Sequence, residues 1–265
     1  MRHVVVTGGS GGIGSAVVQS FLAEGDHVVN LDLREATEHE LGVGRLDTVR
    51  VDLSDAPAVR GAFSHIDELL DGQSPDILVC CASISQLHHF LEVEDDDLDR
   101  IVAVNIRGTF IACQEVGRRM RTAGNGGHIV VITSICDTVA WAGEPVYTIT
   151  KGAQWSLVQT LAVELAHDGI AVNAVSPFAI EVPSGGMAPT RDATGARRQM
   201  LQRTPAGRFG KPAEVAEAVT FLSESTWITG QRIVVDGGFL ATGFAYERPR
   251  SPALDGHTAL FSSND

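Results

Sequence analysis

Seven short runs rich in β-branched residues recur along this chain, each followed by a longer stretch, and that alternation constrains the fold more than any other feature. The runs are residues 3–6, 27–31, 48–51, 77–80, 128–133, 170–175 and 232–235. Most are apolar at consecutive positions, so such a strand has no wet face and must be covered on both sides, as in a parallel sheet. Helical patterns occupy residues 13–23, 56–70, 95–120, 146–166 and 213–222. Ser54-Asp55 ahead of Pro57, and Pro212 ahead of Glu214, mark two helix starts. The alternation predicts the α/β class: one doubly wound domain of about seven parallel strands with helices on both faces. Its ligand crevice is expected at the C-terminal ends of the strands.

Composition narrows the partners. With 44% hydrophobic and 20% charged residues over 265 positions, the chain can bury a large core, which excludes extended disorder. The formal net charge of −13 repels phosphate backbones and anionic lipid, so neither nucleic acid nor a membrane surface is expected as partner. No apolar run has the length of a secretory signal or a bilayer span. Cys80, Cys81, Cys113 and Cys136 form neither a CxxC pair nor a metal-ligand spacing, which points to a reducing cytoplasm and to no metal site. Residues 1–240 contain no linker or repeat and read as one domain. Within it, residues 178–211 are rich in Gly, Pro, Thr and Arg and suit a lid, and residues 241–265 read as a tail with Phe244, Tyr246, Leu254, Leu260 and Phe261 as apolar anchors.

The first strand runs into Thr7-Gly8-Gly9-Ser10-Gly11-Gly12-Ile13-Gly14, which opens a helix. Glycines there permit a tight turn and let backbone N–H groups approach a pyrophosphate at the positive end of that helix. The sheet is therefore expected to be Rossmann-type and its ligand a dinucleotide. Asp32 ends the second strand 18 residues beyond Gly14, where a carboxylate accepts both hydroxyls of the adenosine ribose and repels a 2′-phosphate. That favours NAD; the guanidinium of Arg34, able to take a phosphate, keeps NADP as the alternative.

Tyr147 and Lys151 stand four apart at the start of a helical pattern and share a face. An ammonium beside a phenol, whose ordinary pKa is about 10, is expected to lower it toward the range useful for acid–base work. Ser134 lies 13 residues before Tyr147, just past a buried strand. With these residues in view, the chain resembles the short-chain dehydrogenase/reductase family over residues 3 to about 240. The resemblance rests on Thr7 to Gly14, Asp52-Leu53, Asn105 in Val104-Asn105-Ile106, Ser134, Tyr147-x-x-x-Lys151, Asn173-Ala174-Val175-Ser176-Pro177, Arg208-Phe209-Gly210-Lys211-Pro212, and the stretch from Gly230 to Gly238.

The resemblance implies hydride transfer between NAD(H) and a secondary alcohol or ketone, without metal. It makes Tyr147 the general acid/base, Lys151 the group that lowers its pKa and binds the nicotinamide ribose, and Ser134 the holder of the substrate oxygen. Asn105 would hold a water relaying protons between Lys151 and solvent, and Asp52 would bond the adenine edge. Further cofactor contacts are implied at Gly8, Ser10, Gly12, Ile13, Gly14, Asp32, Leu53, Cys81, Ala82, Pro177 and Ile180. Homodimers or homotetramers are implied as well. Where the family shows N-N-A-G, this chain has Cys80-Cys81-Ala82-Ser83; where it shows P-G and then Thr, this chain has Pro177-Phe178 and Val182. A catalytically idle dinucleotide sensor or scaffold is the reading from another class, and the presence of Asn105, Ser134, Tyr147 and Lys151 argues against it.

Four arginines, Arg191, Arg197, Arg198 and Arg203, sit against only Asp192 between Pro183 and Pro205. Such a cluster either closes over an anionic substrate or decorates a solvated helix and pairs with the acidic body. Asp137 and Glu144, near Ser134 and Tyr147, suit substrate hydroxyls instead. His88-His89 reads as a solvated loop pair, Asp95-Asp96-Asp97 as a charged helix start, and Trp155 and Leu157 as core or subunit interface.

Overall fold

The computed structural model describes residues 1–35, 43–182 and 195–245. Seven strands, β1 (His3–Thr7), β2 (His27–Asp32), β3 (Arg45–Arg50), β4 (Ile77–Cys80), β5 (Gly127–Ile132), β6 (Ile170–Pro177) and β7 (Arg232–Val235), form one sheet in the order β3-β2-β1-β4-β5-β6-β7. Every neighbouring pair is parallel; Val5 stands opposite Val29 of β2 and Leu78 of β4. The order reverses between β1 and β4, and the loops that leave these two strands diverge there.

Both faces are covered because both sets of alternating side chains are apolar. Val5, Val29, Leu78, Ile129 and Val172 point to one core with Phe63 of α2 (Ala56–Leu69) and Met120 of α4 (Thr109–Ala123). Val4, Val6, Val28, Val79 and Val130 point to the other, with Phe21 of α1 (Gly12–Ala23) and Val219 of α7 (Pro212–Glu224). Each fully buried side chain of this size contributes about 1.5–3 kcal/mol, so the two layers dominate stability.

Local signals set the boundaries. Asp55 caps α2 by accepting a hydrogen bond from the Ala58 amide at 3.0 Å, and the Lys211 amide donates to Glu214 Oε2 at 2.7 Å at the start of α7. β3 begins earlier than its apolar pattern suggested. It is the edge strand, where Asp47 stays partly in water and pairs with Arg45 at 2.9 Å and His27 at 2.7 Å.

The stretch expected as one helix over residues 95–120 has three parts: α3 (Asp95–Val102), a π-helical segment Ala103–Gly108, and α4. A π segment widens the turn by one residue, a change no side-chain period announces. It is pressed against the chain beyond β3: a Cβ on Gly108 would lie 2.8 Å from the Leu53 carbonyl oxygen. α5 (Pro145–Leu165) packs beside it. In the expected lid, α6 (Ala196–Arg203) is a helix; residues 183–194 lie outside the described part. Of the expected tail, residues 246–265 also lie outside it, Tyr246, Leu254, Leu260 and Phe261 among them. Among the described residues, no helix is long and apolar enough to cross a membrane.

Candidate active site

β1 delivers the chain to Gly8, whose φ of +73° and close approach to β4 both require glycine: a Cβ there would lie 2.7 Å from the Ala82 backbone. A Cβ on Gly14 would lie 2.1 Å from the Gly8 carbonyl oxygen. The Gly8 amide donates to the Leu31 carbonyl at 2.8 Å, and the Gly9 amide to Asn30 Oδ1 at 2.8 Å. Asn30 Nδ2 in turn donates to Ser10 Oγ at 3.0 Å. Asn30 was missed by sequence reasoning; its signal was a lone carboxamide between the apolar Val28-Val29 and Leu31 of β2. Gly11, the N-cap of α1, has no side chain to satisfy the first-turn amides, which suits them to receive an anion.

A crevice of about 500 Å³ opens where the loops diverge. Gly8, Gly12, Ile13 and Gly14 form one wall, Asp32 with Leu31 and Arg34 a second, and Asp52 with Leu53 a third. Cys81 and Ala82 close it just beyond β4, Val182 lines it at the position where the family shows Thr, and Arg100 and Val104 line it without having been anticipated. Asp32 is nearly buried and fixed: Oδ2 accepts from the Ser10 amide and Oδ1 from the Arg34 amide, both at 3.1 Å. The Arg34 guanidinium is largely exposed, 3.6 Å from the same carboxylate. The Ser54 amide and hydroxyl, donating at 2.8 and 2.7 Å, hold the Asp52 carboxyl below the usual carboxylate range.

Three expected contacts stand off the crevice walls. Ser10 turns its hydroxyl to the Arg34 carbonyl at 3.0 Å, and Pro177 and Ile180 lie beyond at the end of β6, where Ile180 bridges to Gly210. A dinucleotide fits the crevice in its glycine cradle, its uncapped helix terminus and its fixed carboxylate at the end of β2.

Asn105, Ser134, Tyr147 and Lys151 come together at the C-terminal end of β5. Fully buried Asn105 sits in the π segment and clamps the chain after β4: its Oδ1 accepts from the Ile84 amide and its Nδ2 donates to the Ile84 carbonyl, both at 2.9 Å. Nδ2 also donates to Thr150 at 3.1 Å, and the Thr150 hydroxyl to the Tyr147 carbonyl at 2.8 Å. Lys151 is buried, and Nζ donates to the Ile132 carbonyl at 2.8 Å and to Gln154 Oε1 at 2.9 Å. Nζ lies 5.3 Å from the centroid of the Tyr147 ring.

The direction expected for the Tyr147 phenol is reversed. Burial pushes it up, and the Ser134 hydroxyl within hydrogen-bonding reach pulls only partly the other way. Lys151 moves oppositely: loss of hydration pulls it down to about 8.

Asp137 does not face a substrate. Its fully buried carboxylate pairs with Arg232 of β7 and accepts from Thr133 at 2.8 Å and Ser176 at 3.2 Å, tying the Ser134 loop to the far edge of the sheet. Arg197 is also committed elsewhere, to Glu181 at 2.8 Å and to the Phe209 ring at 4.1 Å; Arg203 lies over Phe239, Arg198 is exposed, and Arg191 falls outside the described residues. Cys80 meets Cys113 rather than Cys81, with Sγ atoms 3.9 Å apart in the core, and burial pushes the Cys81 thiol up to about 12.

The family model described as "Enoyl-(Acyl carrier protein) reductase" matches residues 8–240. The chain belongs to the short-chain dehydrogenase/reductase family. It is 36% identical to 2-(R)-hydroxypropyl-CoM dehydrogenase of Xanthobacter autotrophicus over 91% of its own length and 99% of that protein's. Among solved structures it resembles 4-hydroxyisoleucine dehydrogenase complexed with NADH, with a TM-score of 0.82, 27% identity, and coverage of 91% of this chain and 99% of that one. It also resembles an Agrobacterium tumefaciens protein with bound NADP, with a TM-score of 0.80, 30% identity, and coverage of 91% and 96%. This family member is an oxidoreductase that acts on CH–OH groups with a nicotinamide dinucleotide.

The depressed Lys151 makes a signed prediction about stability. Below pH 8 both folded and unfolded chains carry this proton and the cost of burying it is fully present. Between about 8 and 10.5 the unfolded chain still holds a proton the folded one has released, so this group's contribution to stability improves as pH rises. Urea unfolding of Lys151→Met at pH 7 and pH 10 should show the variant losing ground to wild type at the higher pH. A stability difference independent of pH counts against the buried charge.

Proposed function

We propose that the protein is an NAD(H)-dependent dehydrogenase or reductase of secondary alcohols and ketones, with Tyr147 as its general acid/base. The observation that carries this reading is the convergence of Ser134, Tyr147 and buried Lys151 at the sheet end that borders the dinucleotide crevice. The cofactor supplies or takes up a hydride at nicotinamide C4. Ser134 holds the substrate oxygen by hydrogen bonding, and Tyr147 gives that oxygen a proton in reduction or accepts one in oxidation. Lys151 holds the nicotinamide ribose and stabilises the phenolate as it forms. Gly8, Gly12, Ile13 and Gly14 seat the pyrophosphate, Asp32 the adenosine ribose, Asp52 the adenine edge, and Cys81 and Ala82 the remainder of the crevice, while Pro177 and Ile180, beyond its wall, meet the nicotinamide end. Residues 1–240 act as one catalytic domain with residues 178–211 as its lid, and the four free thiols suit a reducing cytoplasm.

The chain works as a homodimer or homotetramer. Ile149, Ala153, Leu157, Thr160 and Val163 form one stripe of α5 beside Phe110 of α4, with Ile149 and Val163 mostly in water. Sedimentation should give at least twice the monomer mass; a monomer rejects this assembly.

Replacing Tyr147 with Phe should cut kcat by roughly 10²–10⁴ while leaving NADH binding, read by nicotinamide fluorescence, nearly unchanged. Near-normal turnover of a ketone sinks the mechanism. NAD should exceed NADP in kcat/KM, and Asp32→Ala should narrow the gap by removing the charge that repels a 2′-phosphate. A wild-type preference for NADP assigns the choice to Arg34 instead.

A further inference from the structure

Between Lys151 and Asn105 stands a carboxamide. Gln154 lies one turn beyond Lys151 on α5 and is 2% exposed, and every polar group it has is used. Oε1 accepts from Lys151 Nζ at 2.9 Å; Nε2 donates to the Asn105 carbonyl at 2.8 Å and to Thr109 Oγ1 at 3.2 Å. The π segment makes this possible, because the Thr109 amide turns to the Ile106 carbonyl and leaves the Asn105 carbonyl to accept from Gln154. Family resemblance put a proton-relaying water at this junction. A carboxamide is a poor relay, since passing a proton on requires it to become an imidic acid.

We propose that Gln154 is a positioning residue: it stands where the resemblance puts a water and holds the Lys151 ammonium rigidly against the π segment. This rests on the reading of Lys151 under Proposed function. Nζ has three donors; Ile132 and Gln154 take two and leave the third for the cofactor ribose, while the charge itself acts on Tyr147. Gln154 thus sets where that third donor points. It also favours the charged amine, because its carbonyl accepts from the ammonium within a site whose burial favours the neutral form. The titratable groups around Nζ are Cys80 at the end of β4 and Cys81 just beyond it, Cys136 and Asp137 after β5, and Tyr147 on its own helix, and none of them faces Nζ as a hydrogen-bonding acceptor among the described contacts.

The chain has only two lysines, Lys151 and Lys211, so lysine labelled with ¹³C at Cε gives two signals, and Lys211→Arg assigns them. Gln154→Met keeps the length and removes the hydrogen bonds; Gln154→Glu keeps the acceptor and adds charge. In the protein without added cofactor, the Lys151 titration midpoint should fall by about half a pH unit or more in Gln154→Met and rise in Gln154→Glu. In turnover, the alkaline limb of kcat should move the same way in each variant, with kcat of Gln154→Met about tenfold or more down and KM for the ketone within about threefold. A Lys151 midpoint and alkaline limb unmoved in Gln154→Met reduce Gln154 to packing and overturn the proposal. If that variant does not fold, an unmoved midpoint in Gln154→Glu overturns it equally. Should the wild type turn over no alcohol or ketone with either dinucleotide, the catalytic reading falls, while the lysine titration still decides whether Gln154 holds Lys151.

Discussion

A lysine ammonium taken out of water has to be satisfied by the protein, and the active end of this molecule is organised around that requirement. Lys151 reaches the last carbonyl of β5 and the Gln154 carboxamide, which is anchored in turn on the π segment. Asn105, in the same segment, clamps the chain leaving β4 and reaches back through Thr150 to the Tyr147 carbonyl. One buried charge therefore binds together a strand end, a loop and two helices, and the phenol inherits its place from them. An unpaired ammonium there costs several kcal/mol, so the contacts are conditions of folding as much as of chemistry.

The sheet supplies the setting. Its order reverses between β1 and β4, so the loops leaving those strands diverge and open a crevice that helices cannot fill. The glycine turn enters that crevice because Gly8 and Gly14 have no room for a side chain, and Asn30 holds the turn in shape from beneath. Asp32 is held by two backbone amides at the rim, which makes its carboxylate a fixed feature.

Charge on the far side of the site is spent internally. Buried Asp137 pairs with partly exposed Arg232 and links the Ser134 loop to β7, and removing the arginine strands the carboxylate in a poorly solvated place. Arg197 is likewise bound to Glu181 and Phe209, so the positive balance of the lid segment is not a free anion trap in the residues described. Neither arrangement engages the Ser134 or Tyr147 hydroxyl, and Glu144 beside them carries a carboxyl that burial pushes up.

What the sequence determined by itself was whatever depends on short-range pattern. Continuous apolar runs admit only a sheet covered on both faces, and glycines between a strand and a helix admit a close backbone turn. A tyrosine and a lysine four apart must share a helix face. Tertiary structure alone decided the rest, because burial and partnership between distant residues leave no local period. The π turn at Asn105, the strut at Asn30, the pairing of Asp137 with Arg232 across 95 positions, and the upward shift of Tyr147 all arise from which groups the fold brings together and deprives of water. Gln154 reads in the sequence as one more polar residue on a helix; its role exists only because the π segment turns a backbone carbonyl toward it.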